Sequence, residues 1–62
     1  MFNKKMIKKY IILYHLNGSL TEIKKYELNN ENLKNLKIFV YQNNRNLFSE
    51  GKIKERYFFK IK

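Results

Sequence analysis

Residues 52–62, KIKERYFFKIK, switch character at almost every step. Ile53, Tyr57, Phe59 and Ile61 stand at odd positions, and Lys52, Lys54, Arg56, Lys60 and Lys62 at even ones, with Phe58 among them. A period of two is the mark of a half-buried strand, because successive side chains point to opposite faces of a sheet. The pattern predicts a C-terminal strand with Ile53, Tyr57, Phe59 and Ile61 turned to a core. Its other face is then a cationic row. Same-face residues of a strand lie about 6.6 Å apart, a spacing that suits phosphates laid along it, and Phe58 within the row is placed to stack on a base.

A strand needs partners, and residues 5–28 supply them. Asn17-Gly18 is a strong hairpin signal because both residues tolerate positive φ. To its left Tyr10-Ile11-Ile12-Leu13-Tyr14 is rich in β-branched and aromatic types; to its right Leu20, Ile23, Tyr26 and Leu28 alternate imperfectly with Glu22, Lys24, Lys25 and Glu27. A three-residue Asn17-Gly18-Ser19 loop puts Tyr10, Ile12, Tyr14, Leu16, Leu20, Tyr26 and Leu28 on one face. Ile11, Leu13 and Ile23 then share the other with His15, Lys9 and Lys25. A two-residue loop mixes the faces.

The middle of the chain has a different period. Asn29-Asn30-Glu31 is an amide cap followed by an acidic first turn, and Leu33, Leu36, Phe39 and Val40 recur at helical spacing. A helix from about Glu31 to Asn43 is predicted. Asn43, Asn44, Arg45 and Asn46 then end it, Leu47 and Phe48 return to the core, and Ser49-Glu50-Gly51 turns the chain into the last strand. The expected fold is a single α+β domain over residues 1–62: a β-hairpin, one helix and a C-terminal strand in a ββαβ-like antiparallel sheet. Ile7, Tyr10, Ile11 and Tyr14 also fit a helix, and Ser19-Leu20-Thr21-Glu22 is a capping box, so a winged helix is the alternative. Against it stands the close packing of a helix-turn-helix, which needs a small residue where this chain has Lys24, Lys25 and Tyr26. An all-β meander, with Ile38 to Tyr41 as a strand, ranks third.

With 62 residues the core is small and stability marginal, which makes a homodimer worth considering. There is no cysteine for a disulfide, and His15 is the lone histidine, so neither a zinc site nor any other metal or cofactor is expected. The longest charge-free run, Tyr10 to Thr21, falls short of the roughly 20 residues that span a bilayer, and no signal-peptide cleavage pattern follows it. The chain reads as a cytoplasmic protein without a membrane partner.

The net charge of +9 has two sources. Phe, Tyr, Met, Ile, Asn and Lys make up 40 of the 62 residues, the signature of A/T-rich codons, so part of the lysine content reflects base composition. The field it produces is real regardless and attracts phosphates. Catalysis finds little footing, and no enzyme is expected. The one constellation with any geometry is an endonuclease-like set of His15 or Tyr14 with Glu22 across the hairpin. The reading that fits best is a small basic binding protein contacting nucleic acid or a nucleoprotein. Lys52, Lys54, Arg56, Lys60 and Lys62, helped by Lys4, Lys5, Lys8 and Lys9, would touch phosphates, with Phe58 stacking. The alternative is a phage or mobile-element interaction protein that inhibits a host nucleoprotein, in the manner of an anti-CRISPR, by protein-protein binding.

Overall fold

The computed structural model describes residues 9–62. Three strands and one helix follow in the order β1 (Tyr10–Asn17), β2 (Leu20–Glu27), α1 (Asn30–Ser49) and β3 (Glu55–Ile61). The sheet is antiparallel throughout, with strand order β2-β1-β3. The expected α+β hairpin–helix–strand fold is the one formed, and the winged helix and the meander are excluded.

Which strand takes the centre follows from apolar content. YIILYHLN in β1 is greasy on both faces, whereas LTEIKKYE in β2 carries charge at every turn of the pleat. The strand flanked along both edges is the best shielded by its neighbours' side chains, and Ile11, Ile12, Leu13 and Tyr14 are all buried. β2 and β3 are left as edges.

The hairpin closes through the three-residue loop, with Leu16 opposite Leu20 and Gly18 at φ +78°. The pairing then slips: Tyr14 faces Glu22 but Leu13 faces Lys24, so Ile23 is an extra residue on β2. Such a bulge reverses the in-out phase of everything beyond it. Tyr26 therefore lies opposite Ile11, not on the Tyr10–Ile12–Tyr14 face as regular alternation predicts, and Lys25 moves to that face opposite Ile12. The imperfect alternation of β2 is the trace of this bulge.

The helix opens as expected. Asn29 is extended and its side-chain oxygen accepts from the Asn32 N–H at 2.7 Å, while the Asn32 amide donates to the Glu27 carbonyl at 2.8 Å and ties the first turn to the end of β2. Leu36 is buried against Ile11 and Leu13, with Tyr26, Leu28, Leu33, Val40 and Phe59 around them. This cluster is the core between α1 and one face of the sheet.

Its end differs from the prediction. Asn43-Asn44-Arg45-Asn46 does not stop the helix, which runs on to Ser49. The reason is that these amides have partners compatible with helix: Asn43 donates back to the Phe39 carbonyl at 2.8 Å, and Asn44 reaches across to β3. Termination comes at Gly51, φ +79°, where the N–H of Gly51 bonds the Phe48 carbonyl at 3.0 Å and that of Lys52 bonds Leu47 at 2.8 Å. This is a Schellman closure. Leu47 is half-buried, but Phe48 is 73% exposed and does not return to the core.

Because residues 51–54 are spent on that turn, with the Glu55 N–H donating to the Lys52 carbonyl at 3.2 Å, β3 begins only at Glu55. Ile53, predicted to be buried, is 71% exposed, and Ile61 at the far end is about half exposed at 48%. Tyr57 and Phe59 do face the helix, half-buried. Among the described residues no helix is long and apolar enough to cross a membrane.

Candidate nucleic-acid interface

The sheet has two unlike faces. α1 covers the one carrying Ile11, Leu13 and Phe59; among the described residues no element covers the other. Down the centre of the uncovered face run Tyr10, Ile12, Tyr14 and Leu16 of β1. The β3 partners are Lys60 for Ile12, Phe58 for Tyr14 and Arg56 for Leu16, while Tyr10 and Lys62 exchange backbone hydrogen bonds at 2.8 and 2.9 Å. On the β2 side the partners are Glu27, Lys25, Glu22 and Leu20. The β3 flank is therefore purely cationic apart from Phe58, and the β2 flank is mixed in sign.

The aromatic rings on this face are engaged with one another. Tyr14 and Phe58 stack with centroids 5.3 Å apart and planes at 23°, and Tyr14 is only 7% exposed. Cations surround the pair. The Arg56 guanidinium carbon lies 5.8 Å from the Phe58 centroid, Lys62 Nζ 5.7 Å from that of Tyr14, and Lys25 Nζ 4.6 Å from that of Tyr10. Lys62 is held above its ordinary pKa, first by hydrogen bonding to the Tyr14 hydroxyl. The face thus presents charged heads over rings. Phe58 is half-buried, with its ring stacked on Tyr14 and the Arg56 guanidinium beside it.

The expected site residues divide into three groups. Arg56, Phe58, Lys60 and Lys62 sit together along β3 as the two-residue period predicts. Lys52 and Lys54 do not join them, because they lie in the turn before the strand, where Lys52 pairs with Glu50 at 3.5 Å. Lys9 precedes β1 and is exposed, while Lys4, Lys5 and Lys8 lie outside the described residues. The strand pattern alone does not place Lys25 on this face. Only the bulge does so, and its signal is the broken alternation around Ile23.

Of the endonuclease-like set, the structure separates His15 from Glu22 but brings Tyr14 opposite it. His15 lies on the helix side, its Nε2 3.1 Å from Glu55 Oε1 and its ring stacked on Tyr57 at 4.5 Å. Glu22 is opposite Tyr14 on the other face. Comparison with family models, with curated proteins and with solved structures finds no match to this chain.

Proposed function

We propose that the protein is a small non-catalytic binding module that contacts nucleic acid, free or within a nucleoprotein, through the uncovered sheet face. The observation that carries this reading is the row of Arg56 and Lys60 on β3 with Lys62 directly after it, beside the Tyr14–Phe58 stack and away from the helix. On a strand Lys60 and Lys62 lie about 6.6 Å apart and Arg56 lies about 13 Å from Lys60, with Phe58 between, and each phosphate neutralised releases condensed counterion. Glu22 and Glu27 on the β2 flank repel a polyanion, so the strand of nucleic acid runs along β3 and not across the sheet. Because the rings are already packed against one another, phosphate contact contributes more than base stacking.

Titration of labelled single- and double-stranded oligonucleotides at two salt concentrations tests this. Each of Arg56→Gln, Lys60→Gln and Lys62→Gln should weaken binding to all sequences alike and lower the slope of log K against log salt by roughly 0.7 to 0.9. Absence of binding at low salt retires the reading and transfers the same variants to a pull-down with and without nuclease. Capture of a protein that survives nuclease treatment and depends on the same face would support the inhibitor alternative.

A further inference from the structure

We propose a second binding site, which shares Arg56 with the sheet face: the groove between the end of α1 and the start of β3 docks an acidic segment of a partner protein that carries one bulky apolar anchor. The groove holds about 460 Å³ and is lined by Asn44, Phe48, Lys52, Ile53, Glu55 and Arg56. Phe48 and Ile53, at 73% and 71%, are the two most exposed large apolar side chains among the described residues, and they share this one depression. Neither supports the core, and adjacent exposed apolar groups in a concave site mark a contact surface. The frame around them is preformed. The Schellman closure at Gly51 and the Glu55 N–H to Lys52 carbonyl bond at 3.2 Å fix the turn that carries Ile53. Asn44, which also lines the groove, is held in place by two hydrogen bonds to the Tyr57 backbone.

Charge selects the occupant. Residues 44–56 contain Arg45, Lys52, Lys54 and Arg56 against Glu50 and Glu55. Both acids are engaged internally, Glu50 with Lys52 at 3.5 Å and Glu55 with His15 at 3.1 Å. That leaves Arg45, Lys54 and Arg56 without a carboxylate partner among the described residues. A second copy of this chain, with its own +9, would be repelled, as would a basic partner. Of these cations Arg56 lines the groove itself, and the apolar pair Phe48 and Ile53 beside it fits an aromatic or aliphatic side chain flanked by Asp and Glu.

Amide-resolved NMR titration of the labelled protein decides the matter, using a short synthetic peptide of Asp and Glu around a central Leu-Phe pair. Controls replace the acids by Lys or the central pair by Ser. Saturable shifts confined to residues 44–56 are expected, absent with both control peptides, with affinity reduced about tenfold or more by Phe48→Ser and by Arg56→Glu. Since Phe48 is exposed, its variant should keep the wild-type spectrum elsewhere. The proposal is overturned by no response at millimolar peptide, by an equal response to the Lys control, or by shifts centred on Tyr14 and Lys60. Shifts that grow with protein concentration alone, or saturation by an oligonucleotide instead, would assign the groove to a second copy or to nucleic acid and overturn it equally.

Discussion

Each face of the sheet buries two residues of β1, but the two faces are organised by different interactions. On the helix side Ile11 and Leu13 meet Leu36 and Phe59 in a shared apolar cluster. On the other side Ile12 and Tyr14 are also buried, at 8% and 7% exposure against 0% and 3% for Ile11 and Leu13, yet the neighbours in register are Lys25, Lys60, Glu22 and Phe58. A strand can thus be shielded by another element or by the stems of long charged side chains and a ring stack. Among the described residues, only the second arrangement sets charged heads along a sheet face that no element covers.

Breaking the helix side should have the largest effect. Leu36→Ala removes the one buried residue of α1 from the cluster and should cost about 2 to 5 kcal/mol, enough to unfold most molecules of so small a domain; urea denaturation followed by circular dichroism measures it. An equally large loss for Ile12→Ala would show that the two faces do not differ as described. The next contrast is between neighbours on β3. Phe59→Ala should cost on the order of 3 kcal/mol in stability, whereas Phe58→Ala loses the stack with Tyr14, about 0.5 to 1.5 kcal/mol beyond the area it buries. Its binding loss should stay below the roughly 1 to 3 kcal/mol of a freely stacking ring, with an unchanged salt slope. A stability loss from Phe58→Ala that matches Phe59→Ala would make the stack a second core. The smallest effect is expected at Lys54, exposed in the turn: Lys54→Ala should move the unfolding midpoint by less than about 0.5 kcal/mol equivalent and leave the salt slope alone.

Where residue pattern and geometry agree, one physical rule was enough to read the structure. Alternation placed Tyr57 and Phe59 toward the core and Arg56 and Lys60 away from it, and the Asn29 cap marked the helix start within a residue. The departures come from interactions with no local signature. The bulge at Ile23 depends on how β2 registers against β1, and it carries Lys25 onto the uncovered face and Tyr26 onto the other. The length of α1 depends on Asn44 finding a partner thirteen residues away. Ile53 was lost from the strand because the helix closure uses up the residues that alternation alone would assign to pleated backbone.

The Asn44 contact has a consequence for the molecule's company as well as its fold. Since Tyr10 and Lys62 exchange hydrogen bonds, parity along β3 turns the N–H and C=O of Tyr57 away from β1, toward the free rim of the sheet. There the side-chain amide of Asn44 accepts from that N–H at 2.7 Å and donates to that carbonyl at 2.9 Å, as a residue of an incoming strand would do. One amide thus imitates one rung of a fourth strand. A foreign chain that begins to zip along this rim meets an occupied rung in the middle of β3, so runaway sheet extension, the standing hazard of a short, aromatic, exposed strand, is interrupted by a group belonging to the protein itself.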